Sequence, residues 1–589
     1  MNIYSKNDSH NNSRICVFLI LALGAVFYIR YCSLIMVEVP QQTWFDQLPL
    51  AELFYSENVK FSDLLSRYGE HGMLANNIFY LINLALFHGC TMFDVIINDI
   101  NVLITGGMII WLSFRMLHHA KNYIYFLIAE AFFLFSPVQG SSGGMETQVR
   151  LGLLFFLISM IFIDEELRNS TQLPKKHFYQ TILLIFISIN VFGTLYSFAG
   201  VPLVWFLIFF KKTGISSSDQ VKKRITAIAG AYFMTVVLYI IEYRLYEVLK
   251  RSSNSRTGIL HNLIYMISHP IHTMKCLFSW YANGVFGWAA HESSHYNQTV
   301  WLFVGALVLS IILYAVYLFI STKMYVNSWI PLMCIVYSFG VFVMVYLGRE
   351  VEWEWFSNEW YNVHIKLALA GAVWIFGYAA GGIKIRKIIC RTSVSILCVF
   401  SCIGSFYALK RAPHVHNYYK NMQKYLFIDH KNEMPVDESG MTPLLHSLDV
   451  TMDSIDILQK YHLSVYKYWD AYENCPTTGL VGNQVKFING KYEDGWTERV
   501  CSFQLRTKEA DQIIVNYYTL EKQKLTIIKD GETIDTVSLA KGKSFFRIPC
   551  EPDTEITIEL QSDYEVQLDA PDTRTCSYMI LDIERIQNS

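Results

Sequence analysis

Long apolar runs recur along this chain up to about residue 409 and then stop. Inside a bilayer no water reaches backbone N–H and C=O groups, so an unpaired apolar run is solved there as a helix that satisfies its own backbone. About 20 apolar residues in helical form cross a hydrocarbon core of roughly 30 Å. The runs fall at 15–37, 92–116, 123–137, 148–164, 178–194, 197–210, 225–246, 299–320, 329–347, 365–383 and 392–409. They predict a polytopic α-helical membrane protein with about eleven transmembrane helices. Composition agrees, because 52% hydrophobic and only 17% charged residues exceed what a soluble core would bury. Aromatics at 15% suit side chains that anchor at membrane interfaces. A net charge of -2 leaves no electrostatic footprint for nucleic acid. The first run leads through Tyr31, Cys32 and Val37 without a small-residue cleavage site, which makes it a retained helix rather than a signal peptide.

Lys and Arg set the orientation. With a cytoplasmic N-terminus, the inner loops collect Arg115 and Lys121, then Arg168, Lys175 and Lys176, then Lys211, Lys212, Lys222, Lys223 and Arg224, then Lys323, and finally Lys384, Arg386, Lys387 and Arg391. An odd number of spans then places 410–589 outside. Residues 1–409 form the membrane domain, 410–477 a mainly helical connector, and 478–589 a domain of short alternating runs. Those runs, at 484–487, 513–517, 524–528 and 555–560, read as strands, with Lys529-Asp530-Gly531 as a turn. Several strands so spaced make a β-sandwich. Cys475, Cys501, Cys550 and Cys576 lie in this tail, an even set that permits two disulfides in an oxidising compartment such as a bacterial periplasm. Four buried free thiols are the alternative.

Two outward loops, 38–91 and 247–298, are too long for simple connectors. The first reads Gln41-Gln42-Thr43-Trp44-Phe45-Asp46 just after the first helix and Arg67-Tyr68-Gly69-Glu70-His71-Gly72 later, with an amphipathic stretch at 76–87 suited to the interface. The second contains Trp280-Tyr281-Ala282-Asn283-Gly284 and His291-Glu292-Ser293-Ser294-His295. Two histidines four apart beside a glutamate imitate half of a zinc site, but the context is polar loop and no third ligand is evident.

In this arrangement the chain resembles the GT-C fold, multi-spanning glycosyltransferases that use polyprenyl-phosphate sugars on the outer face of the membrane. The hallmark is an acidic residue in the first outer loop, a place that Asp46 occupies. A bacterial subgroup carries an Asn-Glu-His-Arg-like element there, matched by Gly69-Glu70-His71-Gly72. Ser136-Pro137-Val138-Gln139 through Gln148, Tyr196-Ser197-Phe198-Ala199-Gly200, and Gly348-Arg349 continue the likeness in order. Gly72 stands where the subgroup has Arg, and Asn358-Glu359-Trp360-Tyr361 replaces a Ser-Arg-Tyr-like element. The resemblance implies transfer of a sugar from a polyprenyl-phosphate donor to a cell-surface glycan acceptor at the outer face of a bacterial inner membrane.

That chemistry needs a carboxylate to take the proton from the attacking hydroxyl and a cation to meet charge gathering on the departing phosphate. Asp46 and Glu70 are the candidate catalytic carboxylates, and Arg349 and His364 the candidate phosphate ligands, with Lys366 as a helper. His71, Gln148, Trp360 and Tyr361 are candidate acceptor or sugar contacts, although an interfacial aromatic belt gives the same composition. No cofactor is fixed by the motifs, and a divalent metal is compatible with the two carboxylates. A lipid-linked glycan flippase or transporter, or a non-catalytic envelope assembly protein, are the alternatives. A transporter is expected to show charges near the membrane midplane, and few stand out in the hydropathy pattern.

Overall fold

The computed structural model describes residues 4–40, 42–65, 67–68, 71–118, 122–137, 146–169, 173–191, 219–250, 259–291, 297–348, 356–426, 434–437, 439–468, 485–492, 495–508, 510–567 and 574–586. The chain divides into two compact units, Met1–Val37 with Pro49–Asn417, and Glu38–Leu48 with Tyr418–Ser589.

The first unit is helical. In chain order its helices are α1 (Tyr4–Ile35), α2 (Leu48–Tyr55), α3 (Phe61–Leu64), α4 (Leu74–Phe87), α5 (Thr91–Leu117), α6 (Tyr123–Phe135), α7 (Glu146–Asn169) and α8 (Lys175–Phe186). They continue as α9 (Asp219–Lys250), α10 (Ile259–Ser268), α11 (Pro270–His291), α12 (Gln298–Ser321), α13 (Ile330–Gly348), α14 (Asn362–Ala379) and α15 (Lys384–Tyr425). Two short strands, β1 (Arg67–Tyr68) and β2 (His71–Gly72), pair antiparallel between α3 and α4.

Six helical segments among the described residues are long and apolar enough to cross a membrane: Arg14–Ile35, Thr91–Leu117, Thr147–Arg168, Gln298–Ser321, Ile330–Gly348 and Lys384–Gln423. Each falls on a run read from the sequence. The shorter runs became shorter helices, as in α6, while 197–210 lies outside the described residues. Outward-facing Leu19, Leu23, Phe303 and Leu313 are exposed apolar side chains of the kind that lipid covers. The core forms around α14, every residue of which but Tyr378 is buried, with α13, α6, α12, α11 and α5 packed on it.

The stretch 247–298 departs from the expected loop, because it folds as α10 and α11 with Trp280, Tyr281 and Asn283 buried. His269, His272 and Lys275 had lowered its hydropathy, yet the face carrying Cys276, Trp280 and Asn283 repeats at the three-to-four spacing of a helix. Small residues let these helices approach closely. A Cβ on Gly305 of α12 would stand 1.9 Å from the Phe278 carbonyl oxygen of α11, where no side chain can move aside. Gly305→Val is therefore expected to destabilise the helical unit by about 3 kcal/mol or more, checked by thermal melting of the purified protein in detergent.

The second unit joins an eleven-residue insertion to the C-terminal region. The 38–48 segment groups with the tail, so the stretch 38–91 is divided between the two units rather than being one loop. Val39, Trp44, Phe45 and Leu48 are buried there, and the 3-10 turn Gln42–Gln47 touches α16 (Leu448–Lys460). Gln423 Nε2 donates to the Glu38 carbonyl at 3.0 Å and Ser464 Oγ to the Glu38 carboxylate at 3.3 Å. The expected boundary at 409 is also displaced, since α15 runs unbroken to Tyr425.

Beyond residue 484 the alternating runs are strands: β3 (Val485–Lys491), β4 (Thr497–Arg506), β5 (Gln512–Thr519), β6 (Gln523–Lys529), β7 (Glu532–Leu539), β8 (Gly542–Pro549), β9 (Glu555–Ser562), β10 (Val566–Gln567), β11 (Thr575–Cys576) and β12 (Met579–Ile586). They form an antiparallel sheet ordered β3-β4-β9-β6-β7, another ordered β12-β5-β8, and a small β10-β11 pair. Phe503, Leu505, Ile527 and Ile558 of the first and Ile513, Val515, Ile548 and Ile583 of the second belong to one buried cluster. Asp530 and Gly531 both take positive φ, 50° and 87°, which closes the β6–β7 hairpin with the turn read from Lys529-Asp530-Gly531.

The expected pair of disulfides is not formed. Cys501 and Cys550 are free, buried thiols, Cys576 is buried, and Cys475 lies outside the described residues. Burial pushes the Cys501 thiol up to about 12 and the Cys550 thiol up to about 11, as for apolar-packed rather than reactive cysteines. An even count says nothing about proximity: Cys501 sits in the sheet core, while Cys550 donates to the Ala510 carbonyl at 3.4 Å.

Candidate functional site

In the helical unit, α1, α5, α7 and α14 bring polar side chains into one buried cluster. Tyr28 and Cys32, four apart on α1, both donate to Asp99 Oδ1 of α5, at 3.0 and 3.4 Å. Arg150, near the start of α7, lies within electrostatic reach of Asp99, His364 and Lys366. Exposure falls to 8% at Asp99, 4% at Arg150 and 1% at both His364 and Lys366. His364 Nδ1 is 3.0 Å from the Tyr337 hydroxyl. Lys366 Nζ donates to the Ser136 carbonyl at 2.8 Å, just past α6, where a cation complements the helix dipole. The described cluster thus holds two strong bases, Arg150 and Lys366, around one carboxylate, Asp99.

Of Gly69-Glu70-His71-Gly72, the Gly72 backbone is bonded to the same end of α7. Gln148 Nε2 donates to the Gly72 carbonyl and its Oε1 accepts from the Asn76 N–H at 3.2 Å. The Gly72 N–H donates to the Tyr239 hydroxyl at 3.1 Å. Gln148 is fully buried and its amide joins Gly72 to the first turn of α4. His71 contributes its backbone to β2, and Glu70 lies outside the described residues, as do Arg349, Gln139, the 196–200 turn, Trp353 and Trp355. Tyr361 is buried with its ring 5.4 Å from Trp280, while Trp360 is half-buried. Asn283 Nδ2 donates to the carbonyls of Phe356 and Asn358, at 3.2 and 2.8 Å, and so fixes the entry to α14.

Asp46 belongs to the second unit. Its Oδ1 lies 3.2 Å from His446 Nε2, and the Phe45 ring meets the His446 ring edge-on at 6.3 Å. The carboxylate is 32% exposed, accessible enough to meet a solute. Burial raises its pKa above the ordinary carboxylate range, and His446 partly offsets that.

No family model and no curated protein matches this chain. Its site is therefore read from its own residues. Among the described residues no group of three or more His, Cys, Asp and Glu side chains could hold a metal ion. Of His291-Glu292-Ser293-Ser294-His295, only the His291 backbone, at the end of α11, is described.

The sequence reading passed over Asp99 and Arg150, which lie inside the runs 92–116 and 148–164 and were absorbed by their hydropathy. The available signal was the charge itself, because an ionisable residue inside an apolar span is costly enough to need a reason. Glu130, fully buried on α6 beside Ser113, and Asp94 on α5 belong to the same set. Charges inside the spans are thus more numerous than the hydropathy pattern suggested.

Proposed function

We propose that this chain is a multi-spanning membrane glycosyltransferase of the GT-C kind, moving a sugar from a polyprenyl-phosphate donor to a cell-surface glycan. The observation that carries the reading is the buried cluster in which Arg150 lies within electrostatic reach of Asp99, His364 and Lys366. A guanidinium and a lysine brought together in the helical unit make a place that suits an anion, and a lipid phosphate at the membrane boundary is such an anion. A guanidinium fork also fits phosphate oxygens and stays charged as the leaving group gathers charge. Asp46, partly exposed and oriented, serves as the base on the acceptor hydroxyl. Glu70 as second carboxylate and Arg349 as an added cation complete the proposal.

Finer features go with it: about eleven spans, a cytoplasmic N-terminus set by the basic loops, a β-sandwich tail outside, and residence in a bacterial inner membrane. The free thiols withdraw the cysteine argument for an oxidising compartment, so the orientation now rests on the Lys and Arg distribution alone. The test is transfer by the purified protein in nanodiscs from a panel of polyprenyl-phosphate sugars to isolated surface polysaccharide. Transfer from one donor class is expected; neither binding nor transfer with any donor overturns the reading.

A second reading, transport of a lipid-linked glycan, is favoured by the buried Glu130 carboxylate. Movement of labelled lipid-linked glycan across proteoliposomes without sugar transfer would put it first.

A further inference from the structure

Asp46 is not held by neighbours in its own segment. Its hydrogen-bond partner, His446, is 400 residues further along the chain and within the same compact unit. His446 sits in a tight loop: the Thr442 N–H donates to its carbonyl at 2.8 Å, and Met441 and Ser447 form a β-bridge. Leu445, just before it, takes a φ of +62°, a conformation a branched apolar residue avoids unless its surroundings impose it. The Ser447 N–H donates to His446 Nδ1 at 2.9 Å, which fixes the tautomer. Nδ1 being an acceptor, the ring proton is on Nε2, and Nε2–H points at the Asp46 carboxylate at 3.2 Å. A histidine so arranged cannot be the base. It donates one hydrogen bond to one carboxylate oxygen and leaves the other oxygen to act.

We infer that His446 is a positioning residue for Asp46, aiming its second carboxylate oxygen at the acceptor hydroxyl. This rests on the transferase reading above. Elements packed here also carry Asp449, Asp453, Asp456 and Lys460 on α16, Glu38 held by Ser464, and Asp437, bonded within its own turn to Ser439 and Met441. The hydrogen bond that His446 donates opposes the effect of burial on the Asp46 carboxyl.

The test compares wild type, His446→Ala and His446→Gln in sugar transfer from the polyprenyl-phosphate donor found active in the panel, across pH 5 to 8. Gln carries an N–H donor at nearly the reach of Nε2. His446→Ala is expected to lower kcat by about tenfold to a hundredfold, the worth of a hydrogen bond to a charged group, with the donor KM unchanged. Its acid limb is expected at higher pH than in wild type, because the group opposing the burial effect has gone. His446→Gln is expected to recover kcat to within about threefold of wild type. A merely structural role would lower activity through loss of folded protein, without moving the acid limb or separating kcat from KM. An active wild type with the same kcat and acid limb in His446→Ala overturns the inference alone. Equal losses in the Gln and Ala variants at equal folded yield do the same. A wild type silent on every donor removes the transferase reading and this inference with it.

Discussion

Replacing Asp46 by asparagine should lower sugar transfer by roughly 10²-fold or more, the usual worth of a positioned general base. Asparagine keeps the size of the side chain and an Oδ1 that still accepts from His446 Nε2–H, so the 38–48 segment should stay docked within its unit. What disappears is an oxygen that can take a proton. Donor binding, measured with a non-transferable polyprenyl-phosphate sugar, should survive. The pH profile sharpens the prediction. The base works only when ionised, so wild-type kcat falls as pH drops through the Asp46 pKa. Burial outweighs His446 and sets that limb above the ordinary carboxylate range, which centres near 4. In Asp46→Asn the limb should vanish from the residual rate. Near-normal transfer in Asp46→Asn would move the base to Glu70.

Arg150→Ala should weaken donor binding by about 10²-fold and slow transfer as well, because the phosphate is charged in both ground and transition states. The same change should destabilise the helical unit by about 3–5 kcal/mol, since Asp99 then keeps its buried charge without the neighbouring guanidinium. These two effects separate in a double variant. Arg150→Leu with Asp99→Asn removes both charges, and the new amide oxygen still accepts from the Tyr28 hydroxyl. Most of the stability should therefore return while donor affinity stays low. Thermal melting and donor titration on the three proteins check this. Donor affinity that returned along with stability would show that Arg150 serves only Asp99, and Lys366 and His364 would then be the cations to test.

Much of the fold was legible because two simple periodicities dominate it. Apolar runs of membrane length became the helices from Arg14–Ile35 to Lys384–Gln423, and alternating runs such as 513–517 and 555–560 became β5 and β9. Hydropathy failed where polar residues share a helix with a buried face: His269, His272 and Lys275 hid α10 and α11. It failed in the opposite sense at Asp99 and Arg150, where a lone charge was outvoted by its apolar neighbours. Disulfides failed because parity of cysteines carries no distance. Local motifs drew attention to Asp46, His364 and Gly72, since each lies at a recognisable element boundary. Their partners His446, Tyr337 and Tyr239 come from remote segments, and nothing in a single sequence pairs residues 400 positions apart.

The eleven-residue insertion also dictates a schedule for making the protein. The Gln42–Gln47 turn with Phe45 leaves the ribosome early, but its packing partners in the same unit, His446 and α16, come after Tyr418. At translation rates of roughly 5–20 residues per second, the intervening stretch takes about 20–70 s to synthesise. Throughout that interval a nascent chain carries an aromatic segment with no fold to receive it, a natural handle for chaperones and proteases. Closing a loop of this size is a late, slow event, because long-range contacts reward the chain only after its ends have met. A chain released early, with every membrane helix already inserted, would still display the unburied segment and be marked as incomplete. Cells would thus read completion of the last residues from an element made among the first.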